Sequence, residues 1–438
     1  MKSMEELVKL LKVTKYKIDT MTLEIEDYGE FEVEPIYIGS MILEKDYENY
    51  NFPFFEITLS VPNKVYRAMR KKNITITAYI RMKYVDVKMD DPVSEQQSGG
   101  KNLPENTFMA KTFYVYGIEG SPTFTEEADE ALEKFIGLDD KEGTDLNNAT
   151  TIDLLLYDVD IMNRIKGMVN EVITDCTLTD AVTRVLNYGG FKNVLMSPAT
   201  NGRSYHEFTL LPMRHEEQLE RICNDYGIYS EGARIFYDFE CTYILRRCLK
   251  CTAWRPGEYK RTYVIYNPQT IISGGEDAAM RTEGTYEDGE EECNYCTMAD
   301  VTLSSPNQYK DQVYGTSYLS IDTKTGNIQN VTSDSVTAND SGSTVSRVVM
   351  TNRGNTGTTS EMVESINNEN TMWEVLIDNM KIDYLDPNKE FVLFFNDKKL
   401  SKYNGQYAIK KFMTTFHKSD GEWFTTSTLA TFAGKKIQ

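Results

Sequence analysis

The chain of 438 residues carries 47 Lys and Arg against 67 Asp and Glu, a formal net charge of −20. That sign argues against nucleic acid or an anionic membrane as a partner held by broad electrostatic attraction, because both would be repelled. The only histidines, His206, His215 and His417, nearly exclude chemistry that needs several imidazoles, and 28 Tyr, 19 Phe and 3 Trp are too many aromatics for a largely disordered chain.

The length suits two to four domains at roughly 100–200 residues each. In chain order, residues 4–12 read as a short helix, with Leu7, Leu10 and Leu11 at helical spacing. Glu5, Glu6, Lys9 and Lys12 interrupt the apolar run a signal peptide needs, and no segment approaches the ~18 apolar residues of a membrane span. The chain is therefore expected to fold in a cytoplasm, with its seven cysteines as thiols or metal ligands rather than disulfides. From about residue 17 the period becomes that of strands, led by Ile18, Met21, Leu23 and Ile25. Strands are predicted at 36–43, 54–61, 74–87 and 108–118, all rich in Ile, Val, Tyr and Phe, and a further strand at 151–159. Residues 92–106 and 139–148 read as loops, the first a long hairpin loop.

Between 171 and 240 the period turns helical. Thr177 is a predicted N-cap with Asp180 three residues on, ahead of one apolar stripe of Leu178, Ala181, Val182, Val185 and Leu186. Gly189 and Gly190 end that helix. A short strand at 208–211 leads to Pro212 at a helix start, and a second stripe of Leu219, Ile222, Cys223 and Tyr226 stops at Gly227. Strand signals return at 234–246 and 262–266, while Gly274-Gly275 and the acidic run 287–292 look like loops. Residues 322–371, dominated by Ser, Thr, Asn, Asp and Gly, are expected to be disordered or ordered only by a partner. Strands at 375–382, 391–395, 407–416 and 423–432 close the chain, the last two joined by the hairpin turn Lys418-Ser419-Asp420-Gly421. The order is β-rich, α+β, then β-rich again, with no internal repeat.

The search for chemistry finds no catalytic residues. Cys248-Leu-Lys-Cys251 and Cys293-Asn-Tyr-Cys296 are two C-x2-C pairs that could supply four thiolates to Zn²⁺. Against zinc, both pairs sit in strand-like sequence, where positions i and i+3 face opposite ways, and knuckle glycines are missing. Plain thiols are favoured, and no cofactor or metal ligand is assigned. His206 and His215 lie near Glu207, Glu216 and Glu217 without an HExxH, and Met213 to Glu217 is read as the polar start of a helix; His417 is read as solvated. No phosphate loop follows Gly274-Gly275. The aromatics read as core, with a sugar-stacking face as the lesser alternative.

The order of parts resembles the phage baseplate hub proteins, the tube-to-spike adaptors of contractile-tailed phages. The stretch 36–43 with Glu44-Lys45-Asp46-Tyr47, then Asn51-Phe52-Pro53 and the strand from 55, is similar to their first domain. The helix from Thr177, Leu210-Leu211-Pro212 and 219–229, ending near Tyr237-Asp238, resembles their α+β insert. Lys402 to Ile409, the turn, and Glu422-Trp423 resemble their closing hairpin. The Ser/Thr-rich 322–371 and the paired cysteines depart from the family.

The resemblance implies a mainly β fold with an α+β insert, built from two tail-tube-like β-barrel domains that form a pseudo-sixfold ring as a homotrimer. It divides the chain into a first barrel at 1–170, an insert at 171–237, a second barrel from 238–321 and 372–438, and an excursion at 322–371. The expected role is a structural, non-enzymatic hub joining the sixfold tail tube to the threefold central spike and lining the DNA channel. The implied partners are further copies of itself, the tail tube protein and the central spike protein, with the tape measure and baseplate wedge proteins as further candidates. DNA would be met only in transit and no membrane is expected. The expected location is the virion tail baseplate, after assembly in a host cytoplasm. Loops 92–106 and 322–371 are expected to contact neighbouring chains. Some hub proteins carry an appended lytic domain, and none is expected after Gln438. The alternatives are a tail-tip cell-wall hydrolase and a receptor- or carbohydrate-binding module.

Overall fold

The apolar positions at the N-terminus change parity once, from Tyr16 and Ile18 to Met21, Leu23 and Ile25, and the computed structural model shows all five buried on one strand. Strand β1 (Lys12–Ile25) has a bulge between Ile18 and Thr20 that restores the inward phase. The structure describes residues 12–47, 52–71, 73–88, 107–120, 149–159, 167–191, 193–229, 233–239, 241–246, 261–266, 284–288, 291–304, 316–322, 328–332, 345–351, 371–387, 389–419, 421 and 423–436. The predicted helix at 4–12 lies outside them except for Lys12, which is in β1, and so do the loops 92–106 and 139–148 and Gly274-Gly275.

Next come β2 (Gly29–Glu32), a 3-10 turn at Pro35–Tyr37, β3 (Ile38–Asp46), β4 (Phe54–Pro62), helix α1 (Asn63–Met69), β5 (Ile76–Lys88), β6 (Thr107–Gly120) and β7 (Ala149–Asp158). The strand expected from residue 36 starts two residues later. Pro35 at the first position presets the backbone for the turn, and Ile36 points into solvent.

Around the insert expected at 171–237 lie β8 (Met168–Thr177), α2 (Leu178–Tyr188), β9 (Val194–Met196), β10 (Ser204–Arg214), α3 (His215–Glu220), a wide π-type turn at Arg221–Asp225, β11 (Ala233–Asp238) and β12 (Cys241–Arg246), the last past its expected end but paired with β9 and β11. Thr177 and Asp180 form a reciprocal capping box, and the predicted stripe of α2 is buried. Pro212 does not start a helix. It lies within β10 where the register with β8 slips between Leu210 and Met213, and a two-stranded ribbon tolerates its missing N–H there. The strand expected at 234–246 is a hairpin of two, β11 and β12, whose residues are buried on both faces, Arg234 and Thr242 among them.

The remainder comprises β13 (Arg261–Tyr266), β14 (Gly284–Asp288), β15 (Glu291–Ser304), β16 (Thr316–Asp322), β17 (Ile328–Thr332), β18 (Val345–Thr351), β19 (Thr371–Asp378), a 3-10 turn at Ile382–Leu385, β20 (Glu390–Phe395), a 3-10 turn at Ser401–Tyr403, β21 (Gly405–Ser419) and β22 (Trp423–Lys436). The acidic run at 287–292 is not simply a loop, since Glu287 pairs with Glu292 and Asp288 with Glu291 at the ends of two strands. Nor is 322–371 wholly without structure. Its β-branched clusters place β17 and β18 on either side of β16 in a three-stranded sheet.

Most strands join one 14-stranded mixed sheet whose pairings close twice. β21-β3-β4-β7-β6-β5-β1-β22 returns to β21, a barrel of eight strands. β13-β20-β21-β22-β19-β15 returns to β13, a barrel of six. Closure satisfies strand edges that would otherwise invite aggregation. The β21–β22 hairpin belongs to both rings, so one continuous core runs from Leu59 and Ile80 in the first barrel to Val375 and Leu393 in the second. A second core fills the insert, from Val169 to Ile244.

Candidate functional site at the barrel junction

The long hairpin changes partners along its length. On β21, Gly405 to Tyr407 pair with β20 and Lys411 to His417 pair with β3. A bulge between Ile409 and Lys411 marks the change. Tyr47 N–H donates to the Lys410 carbonyl at 2.8 Å, and the buried Arg234 guanidinium donates to the Ile409 carbonyl at 2.6 Å. The first barrel and the insert therefore both grip the point where β21 crosses from one barrel to the other.

On β22, Trp423 and Phe424 pair with β1, and Ser427 onward pairs with β19. Asn379, at φ +54°, fills the fork: its N–H donates to Thr426 O at 2.8 Å and its carbonyl accepts from Thr14 N–H at 3.1 Å. Asn is among the few residues that adopt this left-handed conformation readily. Next to it, the Tyr16 hydroxyl donates to Met380 O at 3.0 Å and accepts from Ile382 N–H at 2.9 Å.

The turn between β11 and β12 plugs the mouth of the first barrel. Phe239, 8% exposed, meets Phe113 edge-on at 5.6 Å and stacks on Phe55 at 6.1 Å. Two lysines on inward positions receive the turn. Lys45 pairs with Asp238 at 2.5 Å and lies 5.0 Å over the Phe239 ring. Lys111 pairs with buried Asp158 at 2.6 Å and donates to Phe239 O, while Tyr237 OH donates to Asp158 at 3.1 Å. Losing either partner of such a pair would strand a charge in a poorly solvated place.

A cavity of about 610 Å³ lies between this plug, the barrel mouth and the 381–386 segment. Lys381 sits 4.4 Å over Tyr84 at its wall, and Lys389 donates to Asp383 O at 3.1 Å. By surface area Asp383 is open to this cavity, yet protein crowds its carboxyl. That desolvation is the largest influence and pushes its pKa above the usual range, with Lys45 and Lys389 opposing and Asp238 reinforcing. Tyr47 is held well above its ordinary pKa by burial first and then by Asp238 and Asp386, so it stays a neutral packing group.

The residues singled out by sequence fall apart in space. His206 is exposed and meets Asp175 at 2.7 Å; His417 is exposed on β21. His215 does begin α3, but its ring is buried edge-on to Phe191 rather than solvated. Cys248 and Cys251 lie outside the described residues, Cys293 is a strand residue of β15, and Cys296 is fully buried in the barrel core. Among the described residues no three His, Cys, Asp or Glu side chains converge as a metal set. Sequence reasoning missed Lys45, Lys111, Phe239 and Asn379. The one available signal was a lysine at an inward position of an alternating strand, visible at Lys45 once Met41 and Leu43 are taken as core.

Two closed barrels sharing a hairpin, with an α+β insert plugged into one of them, define a tail-protein fold. The structure matches the tail protein of Neisseria meningitidis MC58 with a TM-score of 0.51 at 8% identity, covering 95% of this chain and 96% of that one. The 43 kDa tail protein of prophage MuSo2 from Shewanella oneidensis gives 0.49 at 11% identity over 94% and 96% of the two chains. An E. coli type VI secretion component described as similar to T4 tail proteins gp27 and gp5 gives 0.43 at 7% identity over 95% and 77%. No curated protein matches the sequence. The chain belongs to the Bacteriophage PBS1 gene 109 protein family, whose model matches residues 8–431.

Proposed function

We propose that this chain is a structural hub of a phage tail, with three copies forming a ring of six barrels that joins a sixfold tail tube to a threefold central spike and surrounds the passage for DNA. The observation that carries this reading is the pair of closed barrels built on one hairpin. Two barrels per chain let a threefold assembly present six similar units. The charge of −20 suits a wall past which phosphate slides without sticking. On this reading the role is scaffolding rather than catalysis, the site of action is the virion tail, and the contacting proteins are the tube and spike subunits. Electron microscopy of purified tails with copy-number counting tests it. Three copies around an axial channel at the tube end are expected; a single copy, or a peripheral position, would sink the reading.

A further inference from the structure

The cavity beside the plug, at about 610 Å³, has the size of a small-molecule site, and Asp383 on its wall is exposed. Its charges cancel. Lys45 is taken by Asp238 and Lys111 by Asp158, and the segment 381–389 adds Lys381 and Lys389 against Asp383 and Asp386. A strongly charged ligand therefore meets no net opposite charge here.

Within that balance one acceptor is left over. The Asp383 carboxyl makes no hydrogen bond or ion pair with any described residue, although the ammonium groups of Lys45, Lys389 and Lys381 act on it from further off. Its crowding, which pushes the pKa up, makes that want of a donor costly. Lys389 donates once, to the carbonyl of the same Asp383 at 3.1 Å, and an ammonium carries three donors. An acceptor without donors and a donor with bonds to spare thus stand at one corner of the cavity. Two adjacent hydroxyls satisfy both at once, donating to the carboxylate and accepting from the ammonium. Tyr84, Phe108 and Tyr243 supply aromatic wall to the same cavity, against which the C–H face of a sugar ring can pack.

We infer that this cavity binds a neutral saccharide unit, gripped through adjacent hydroxyls by Asp383 and Lys389 and through its ring face by the aromatic wall. The site goes beyond the hub reading, because it gives a scaffold a means of engaging glycan, and neither depends on the other.

Titration calorimetry of the full-length chain with maltotriose, mannotriose and chitotriose tests the site. At least one should bind with a dissociation constant in the millimolar range or tighter. Its binding should slow amide exchange within 381–386 and 108–111. Asp383→Asn and Lys389→Met should each weaken that binding tenfold or more. No binding by any of the three sugars, protection confined to other segments, or binding that both variants leave unchanged would overturn the site. Tighter binding of free phenylalanine or of inorganic phosphate would overturn it too, by assigning the cavity to a zwitterion or an anion. None of these outcomes bears on copy number in the tail, on which the hub reading stands.

Discussion

Single atoms hold the fork between the barrels. The Tyr16 hydroxyl both donates and accepts in a buried setting between Met380 and Ile382. Tyr16→Phe should cost about 1–3 kcal/mol by denaturant melting, because the Met380 carbonyl and the Ile382 N–H would lose a partner that water cannot readily replace. Asn379 gives a sharper test of backbone conformation: Asn379→Gly should be nearly neutral, whereas Asn379→Val should cost about 1–3 kcal/mol, since a β-branched residue resists φ +54°. Asp383 sets a pH signature. Its raised pKa means the folded state holds the proton more tightly than the unfolded one, so its favourable contribution is complete below the unfolded pKa and is lost as pH rises through the folded one. Asp383→Asn should therefore raise Tm at pH 7 and leave it unchanged near pH 3.

The elements differ in how much of them the sequence displays. The α2 cap and stripe, the turn with Gly421 at φ +81°, and the alternation of β4 and β5 are local, and their residues announce them. Where local signals misled, a longer-range partner decided. Pro212 sits in a strand because β8 slips register beside it, and 328–332 becomes a strand because β16 pairs with it. The sharing of β21 and β22 was not legible at all, since it depends on pairings such as Tyr16 with Phe424 across most of the chain. The plug was equally hidden: nothing near Phe239 distinguishes it from other core aromatics until Phe55 and Phe113 surround it. Phe239→Ala should cost ~3–5 kcal/mol and expose the insert to limited proteolysis before the barrels are cut. A Cβ at Gly434 would come within 2.4 Å of Gln406 O and 2.8 Å of Tyr407 Cα, both backbone atoms. Gly434→Ala should accordingly weaken the hairpin at the second-barrel end, seen as faster amide exchange in β19 as well as β21.

For the whole molecule, a shared hairpin and a shared core predict that the barrels melt together. Calorimetry should show one transition for both, while the insert, with its own core, is free to melt separately. Two sides of the first barrel differ in charge. β3 and β4 turn Glu44, Asp46 and Glu56 outward, and β1 and β5, four strands round, turn Lys15, Lys17, Arg81 and Lys83 outward around Asp19. In the proposed ring the acidic side suits the bore. Glu44→Lys with Glu56→Lys should then slow DNA release from assembled particles without changing copy number.

The hairpin also determines how the molecule bears load. Two continuous strands cross from one barrel to the other, and hydrogen bonds at Lys410, in the β21 bulge, and at Asn379 clamp the crossing, which stiffens the joint. Torque applied to one half is passed stiffly to the other. In the proposed ring, any dilation would then be taken up between neighbouring copies rather than within one chain.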